Sequence, residues 1–287
     1  MKLQILHVVL LAGAIAACHS SDPSANARVL RISAIPDQDP EKLQRLYGKV
    51  STYLSTALGV PVEYRPVTDY TASVTAFKVG DLDLVWYGGL TGVQARLQVP
   101  GAHAIAQRDI DTAFHAVFIT RRALGLRSLA DLKGHTFTFG SETSTSGRLM
   151  PQYYLHQGGV ELSDFQGPPG FSGSHDKTIA LVAAGTYDAG ALNAQVWQAR
   201  VASKAVDTTR VVVFYVTPAF HDYHWVLHPD VEKRFGAGFA DKVRSALIAL
   251  DQQDILDLFG AHRFVPAADS DYTQIESVGR AIGTIVQ

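Results

Sequence analysis

The sequence predicts an α/β protein of two lobes, with a hinge of two crossover segments and a ligand cleft between the lobes. Strand-like and helix-like segments alternate along most of the 287 residues, and a second alternating unit begins near residue 116. A later segment then leads back to the first unit. We therefore assign residues 29–115 and 226–287 to lobe 1 and residues 116–225 to lobe 2, since two crossing segments make a hinge.

The first elements of lobe 1 predict a small, mostly parallel sheet. Residues 29–35 and 62–67 are predicted as strands, and residues 40–58 between them as a helix. A second helix is predicted over residues 71–79 because a glycine follows it. The apolar run 82–87 is then a third strand.

The elements of lobe 2 follow the same alternation. We predict a short helix and turn over residues 129–134, a strand ending at 139, a helix over 177–184 and a strand near 189–192. The chain is then predicted to leave lobe 2 through residues 220–227. It should finish in helices around 231–252 and 272–285.

The most informative motif is a hydroxyl-rich turn between a predicted strand and a predicted helix. Ser144, Thr145 and Ser146 precede Gly147 there. Free backbone N–H groups and the positive end of the helix dipole meet at such a turn, which favours an anion. The hydroxyls add neutral donors, and glycine leaves the backbone uncovered. The alternative is an ordinary helix cap.

The N-terminal residues predict export and a lipid anchor. Lys2 precedes an apolar run over residues 5–15 that is shorter than a membrane-spanning helix. Residues 15–18 then resemble a bacterial lipobox ending in Cys18. We predict a lipoprotein signal peptide over 1–17, lipidation of Cys18, a tether over 18–28, and anchoring to a bacterial membrane in the periplasm or cell envelope. A plain secretory signal is the alternative.

Composition excludes several classes of function. Lys2 leaves with the signal, so 24 basic residues face 27 acidic ones, and this balance of −3 argues against nucleic acid as a partner. Cys18 is the only cysteine, so neither disulfides nor a thiolate zinc site is predicted. His221 and His224 would diverge in an extended segment, and we therefore predict no metal site.

The sequence predicts no enzyme. Gly140 to Ser144 has no glycine after a lone serine, so it is not the nucleophile elbow of hydrolases. Phosphate-loop and dinucleotide fingerprints are absent, and no cofactor is predicted. A serine nucleophile acting on phosphate esters stays conceivable, but nothing in the sequence supplies its base or metal.

Several motifs together resemble a known family, the substrate-binding proteins of phosphate, phosphite and phosphonate ABC transporters, which have the type 2 periplasmic binding protein fold. The motifs are residues 35–37, 80–88, 144–147, 171–176 and 185–191. The resemblance implies a monomer that captures a small tetrahedral oxyanion by closing its cleft and delivers it to a permease and its ATPase. Some similar proteins are labelled selenate-binding, so selenate or selenite is an alternative ligand. A lipid-anchored sensor for a membrane kinase is an alternative role.

The resemblance also implies site residues. Ser144, Thr145 and Ser146 would hold the oxyanion, and His175 would donate to it. Tyr87 and Tyr70 would close over it from the opposite lobe. For each residue a structural role is the alternative, namely core packing for Tyr87 and a simple turn for Tyr70.

Two further positions bear on which anion is bound. Asp222 matches an acidic residue of the family, and its carboxylate would accept the O–H of a phosphonate or phosphite while repelling sulfate and selenate. Gln195 stands where relatives that bind aminophosphonates place a carboxylate. A neutral amide there predicts a ligand without an amine, because a buried, unpaired ammonium is costly.

Overall fold

The computed structural model describes residues 28–286, which form two α/β lobes, each built on its own sheet. The predicted signal peptide, Cys18 and all of the predicted tether except Arg28 lie outside the described residues. Within residues 28–286 no helix is long and apolar enough to span a membrane.

Lobe 1 combines a six-stranded sheet with seven of the described α-helices. Its strands are β1 (Leu30–Ala34), β2 (Val62–Tyr64), β3 (Leu84–Tyr87), β4 (His103–Arg108), β10 (His224–Leu227) and β11 (Phe264–Pro266). Its helices are α1 (Pro40–Leu58), α2 (Tyr70–Lys78), α3 (Gly89–Gln98), α7 (Asp230–Phe235), α8 (Phe239–Ile248), α9 (Gln253–Phe259) and α10 (Thr273–Ile282).

Lobe 2 has a five-stranded sheet. Its strands are β5 (Ala116–Arg121), β6 (Phe137–Phe139), β7 (Gly170–Phe171), β8 (Ala189–Asn193) and β9 (Val211–Val216), and its helices are α4 (Met150–Gln157), α5 (His175–Ala184) and α6 (Ala194–Ala202). The strand order is β7-β6-β8-β5-β9. Aromatic rings fill one side of this sheet, where Phe137 stacks on Phe165 at 4.9 Å.

The lobe 1 sheet is mixed, with the order β11-β4-β10-β3-β1-β2. β1 pairs in parallel with β2 and β3, as predicted for the first half, and β10 pairs antiparallel with β3 and β4. The returning chain therefore inserts its strand into the middle of the first sheet. This insertion joins the two sequence segments of lobe 1 into one core.

The two lobes are connected by crossing segments that pair with each other. Phe114 and Phe220 exchange backbone hydrogen bonds of 2.8 and 2.9 Å. β5 begins at Ala116, which is the first residue of the predicted lobe 2. β10 begins at His224, two residues before the predicted return to lobe 1.

Some element bounds differ from the sequence prediction for local reasons. The second strand stops at Tyr64 instead of residue 67, since Pro66 lacks the N–H that a sheet requires. The helical region predicted over 231–252 is broken by Gly236 and Gly238, both at positive φ. α10 ends at Ile282, before Gly283, which also has a positive φ.

Candidate ligand-binding site

The hydroxyl-rich turn lies at the interface of the lobes, and its shape is fixed by glycine. Thr145–Leu149 form a single π-helical turn that leads into α4. Ser144 caps this turn, since its Oγ accepts the N–H of Gly147 at 3.0 Å. Gly140 donates its N–H to the carbonyl of Gly147 at 2.8 Å. Single π-helical turns are frequently found at functional sites. Here the first N–H groups of the turn have no intrahelical partners, because they lie at a helix N-terminus.

A second helix N-terminus, from lobe 1, faces this turn. Leu90 donates its backbone N–H to Thr145 Oγ1 at 2.9 Å, and Gly89 donates to Asp222 Oδ1 at 2.9 Å. Both donors belong to the first turn of α3, where the helix dipole favours negative charge. The two lobes thus bring two sets of N–H donors and the turn's hydroxyls to one place. All three hydroxyl residues, Ser144 to Ser146, are almost fully buried there.

Asp222 is buried beside the turn and is the most perturbed carboxyl group of the site. Its pKa is raised to about 7. Burial is the main cause and the negative charge of Asp111 adds to it, whereas the N–H of Gly89 and the hydroxyls of Thr145 and Ser146 act in the opposite direction. Its Oδ2 atom is buried and has no hydrogen-bond partner within residues 28–286. Because a buried acceptor without a partner is unfavourable, this oxygen is suited to accept a hydrogen bond from an O–H group of a ligand.

The two predicted tyrosines occupy different environments. Tyr70, the first residue of α2, is buried, and its hydroxyl has no hydrogen-bond partner in the described chain. Burial raises the pKa of Tyr70 well above its usual value, and the Asp37 charge raises it further; the nearby Ser144 hydroxyl opposes them. Tyr87 points away from the turn, since its hydroxyl donates to the Ser73 carbonyl at 2.8 Å. The structure therefore brings Tyr70, and not Tyr87, to the cluster.

His175 begins α5 and is fully buried in the closed interface. Its Nδ1 accepts the backbone N–H of Asn193 at 3.4 Å, which leaves Nε2 to carry the proton toward the Tyr223 hydroxyl at 3.3 Å. Burial lowers the pKa of His175, so the ring is neutral near pH 7. A Cβ placed on Gly147 would lie 3.3 Å from His175 Cε1, so the ring borders the turn.

Tyr223 and Asp37 belong to the site and were not predicted from the sequence. The Tyr223 hydroxyl donates to Asp37 Oδ2 at 2.7 Å and accepts from Asn193 Nδ2 at 3.1 Å. Asp37 also accepts the backbone N–H of His175 through its carbonyl at 3.1 Å. This network joins lobe 1 to lobe 2 through the crossing segment. Its members are far apart in sequence, so no local pattern indicated it.

Gln195 also has a position different from the predicted one. Its amide Nε2 donates to the carbonyls of Phe259 and Gly260 at 3.0 and 2.8 Å, and its Oε1 accepts from Arg108 at 2.6 Å. Arg108 in turn forms a buried ion pair with Asp111. Both ends of the Gln195 amide are therefore occupied by lobe 1. Direct ligand contact by Gln195 stays a prediction that this geometry does not support.

A cavity of about 20 Å³ lies next to the Tyr223 network. Its wall includes Asp37, Trp86, Arg108, Asn193, Gln195 and Tyr223. A space of this size holds about one water molecule. The hydroxyl-rich turn and Asp222 do not line this cavity, so it lies beside the oxyanion cluster and does not form its wall.

The sequence predicted that His221 and His224 diverge, but both rings pack against Tyr272, with centroid distances of 5.9 and 3.8 Å. The three histidines near the returning strand nevertheless have separate hydrogen-bond partners. His221 contacts Gln107, His224 contacts the Asp222 carbonyl, and His228 accepts the N–H of Asp230. Within residues 28–286 no cluster of three or more His, Cys, Asp or Glu residues could hold a metal ion.

Comparison with known proteins identifies the family of this chain. Residues 32–272 match the family described as ABC transporter, phosphonate, periplasmic substrate-binding protein. A probable ABC transporter phosphite-binding protein, PhnD1 of Prochlorococcus marinus, is 48% identical over 278 residues, which cover 93% of this chain and 94% of that protein.

Solved structures show the same architecture. The structure of Prochlorococcus marinus PhnD1 in complex with methylphosphonate has a TM-score of 0.88 and 49% identity, covering 91% of this chain and 100% of that one. A binding protein component of an ABC phosphonate transporter from Pseudomonas aeruginosa has a TM-score of 0.78 at 19% identity, covering 88% and 85%. The second likeness concerns the fold alone.

Proposed function

Because this chain belongs to the family of periplasmic substrate-binding proteins of phosphonate ABC transporters, we propose that it captures phosphite or a small phosphonate such as methylphosphonate. The observation that carries this proposal is the meeting of two helix N-termini around Asp222. N–H donors and neutral hydroxyls stabilise a compact oxyanion without a buried counter-charge. Asp222 adds an acceptor for a ligand O–H, which phosphorus oxyanions carry and sulfate lacks near neutral pH.

Capture proceeds by closure of the lobes. The oxyanion docks on the Ser144 to Ser146 turn of lobe 2, beside His175. Lobe 1 then swings in Tyr70 and the N-terminus of α3, which excludes water from the anion. The Asp37–Tyr223–Asn193 network and the Gln195 contacts hold the lobes together. Tyr87 does not contact the ligand in this proposal. It packs in the core of lobe 1 instead.

The proposed ligand is small and has no amine. Gln195 carries no charge that could pair with an ammonium ion, so an aminophosphonate would lack the partner that its amine requires. The relatives named above point to phosphorus instead of selenium, so selenate and selenite serve as competitors in the test.

The family assigns the chain to an ABC transporter, whose permease and ATPase are its partners. We further propose that the protein works as a monomer, is not an enzyme, and is anchored through a lipid on Cys18. Mass spectrometry of the membrane-extracted protein tests the anchor, since a lipidated Cys18 adds the mass of its acyl chains. Genes for a permease and an ATPase beside this gene support import, whereas a neighbouring kinase gene supports the sensor role.

Calorimetric titration tests the proposed ligand directly. The soluble protein starting at Arg28 is titrated with phosphite, methylphosphonate, aminoethylphosphonate, phosphate, sulfate, selenite and selenate. We expect micromolar or tighter binding of phosphite or methylphosphonate, at roughly −8 kcal/mol or below. Selenate or selenite binding tighter than phosphite would overturn the proposal.

A triple variant tests the turn. Replacing Ser144, Thr145 and Ser146 together with alanine removes three hydroxyl donors, and we expect oxyanion binding to be lost while the fold is retained. The matched control is Thr52→Ala with Thr56→Ala, which removes two exposed hydroxyls of α1 that bond only to its own carbonyls. Survival of binding in the triple variant would show that the anion docks elsewhere.

A further inference from the structure

Asp222 is a buried carboxyl group without a cationic partner. It takes part in no salt bridge within residues 28–286, although it is almost completely buried. The guanidinium of Arg108, at the end of β4, is already paired with Asp111. One oxygen of Asp222 is held by the Gly89 N–H, and the other has no partner in the described chain.

The groups that face Asp222 are neutral or negative. Thr145 and Ser146 present hydroxyls from lobe 2, and the Thr145 oxygen already accepts the Leu90 N–H, so its own proton is free to be donated. Asp111 adds a negative charge from the segment after β4. On β10, His224 is neutral because burial lowers its pKa to about 3.

Three tyrosines complete the surroundings of this carboxyl group. The charge of Asp222 acts on Tyr70 from α2, on Tyr223 in the crossing segment and on Tyr272 next to α10, and burial raises the pKa of each well above its usual value. All three phenols are therefore neutral near pH 7. No group around the carboxyl group supplies a compensating positive charge.

This arrangement has a consequence for an anionic ligand. An ionised Asp222 and a fully ionised oxyanion would place two negative charges together in a region that water does not reach, and such a pair is strongly unfavourable. A proton held between a carboxylate oxygen and a ligand oxygen removes this repulsion and gives a strong, charge-assisted hydrogen bond.

We propose that the site binds its oxyanion together with one proton, shared between Asp222 Oδ2 and the ligand. This inference rests on the proposed function, because it concerns how that same ligand is held. When phosphite or a phosphonate binds as a monoanion, the ligand supplies the proton. When it binds as a dianion, Asp222 must be protonated. Sulfate and selenate have none to bring near neutral pH, so they bind only when Asp222 itself is protonated. Discrimination against them therefore depends on pH.

The direction of the pH dependence follows from the charge states. Burial raises the pKa of Asp222 to about 7, and the second ionisation of a phosphoryl group has a pKa of about 6. At about pH 8 both are mostly ionised, so capture must take up a proton from solution. Affinity then falls with rising pH, by up to about tenfold per unit.

Calorimetry in two buffers of different ionisation enthalpy measures this proton directly. At about pH 8 we expect phosphite to bind the soluble protein with uptake approaching one proton per ligand. Sulfate should compete at about pH 6 and lose affinity about tenfold per pH unit above 7. Phosphite binding at about pH 8 without proton uptake would overturn the inference and leave the proposed function intact. Absence of binding by every phosphorus oxyanion would instead contradict the proposed function.

An Asp222→Asn variant provides the matched test of the residue. The amide keeps the shape, cannot ionise and still offers an N–H donor, so sulfate and selenate should bind at about pH 8 with no proton uptake and no pH slope. If sulfate affinity of the variant still falls with pH as steeply as in the wild type, the proton is held by a group other than Asp222. If the variant does not fold, the wild-type proton count alone decides.

Discussion

Tyr70 and Tyr87 show at the residue scale how burial separates two similar side chains. Both are buried tyrosines of lobe 1, and both were predicted from the sequence to close over the ligand. One hydroxyl is bonded to the Ser73 carbonyl, whereas the other lies near Ser144 without a partner in the described chain. A buried donor without a partner costs free energy unless a ligand accepts its proton. The two residues are therefore expected to respond differently to loss of the hydroxyl.

The pair Tyr70→Phe and Tyr87→Phe tests this difference. Tyr70→Phe should weaken oxyanion binding about tenfold or more, because a hydrogen bond to a charged group is lost, and should leave stability unchanged or higher. Tyr87→Phe should lower the free energy of unfolding by about 1 kcal/mol and leave affinity unchanged. Calorimetric affinity and urea unfolding of both variants give the answer. Equal affinity losses would mean that both tyrosines act through the fold.

The residue-level site could be predicted only where its chemistry is local in sequence. The turn from Ser144 to Gly147 could be recognised because its hydroxyl residues are consecutive and precede a predicted helix. The opposing donors are the backbone N–H groups of Gly89 and Leu90, which carry no side-chain signal. Their acceptors lie 133 and 55 residues away in the chain. Only the folded interface reveals them.

At the scale of elements, the π-turn depends on the close approach of two glycines. A Cβ on Gly147 would lie 2.9 Å from Ser144 Oγ and 3.1 Å from the Cα of Gly140. Both distances are shorter than ordinary van der Waals contacts, so the Ser144 side chain and the Gly140 backbone would have to shift by at least a few tenths of an ångström. The displaced Ser144 would then lose its bond to the Gly147 N–H.

Gly147→Ala is therefore expected to damage the site, in contrast to Gly48→Ala. We expect Gly147→Ala to destabilise the protein by about 1 to 3 kcal/mol and to weaken oxyanion binding at least tenfold. Gly48 lies inside α1 with open space at its Cβ position, so Gly48→Ala should stabilise by about 0.5 to 1 kcal/mol. Thermal unfolding and calorimetry report both effects. Normal affinity in Gly147→Ala would show that the turn tolerates the added carbon.

Elements were predicted well where local signals end them. α1 spans Pro40–Leu58 as expected, because Asp39 caps its start and Gly59 its end. α9 was not predicted as a separate helix. Its register depends on packing of Phe259 against Trp86 and Tyr47, contacts that join distant segments. Periodicity in a seven-residue helix is too short to show this.

At the scale of the whole molecule, the lobes are held closed by contacts from Gln195 as well as by the ligand site. Its amide reaches two lobe 1 carbonyls and the Arg108 guanidinium. These bonds exist only when the lobes are together. Gln195 therefore affects affinity through the population of the closed state.

Gln195→Ala should weaken all ligands equally. Loss of the cross-lobe bonds is expected to cost about 1 kcal/mol, or roughly fivefold in affinity, with the same factor for phosphite and methylphosphonate. Small-angle scattering of the ligand-free protein should show a larger radius of gyration. Gln198→Ala, on the exposed side of the same helix, is the control. A change in the ratio between the two ligands would instead support direct contact.

The position of β10 in the sheet order also determines when lobe 1 can fold. β10 lies between β4 and β3, so without residues 224–227 the strands of lobe 1 form two separate fragments. Lobe 2 takes its five strands from one continuous stretch that ends at Val216. During synthesis lobe 2 is therefore complete first. Lobe 1 must wait for nearly the whole chain and for slow long-range strand pairing.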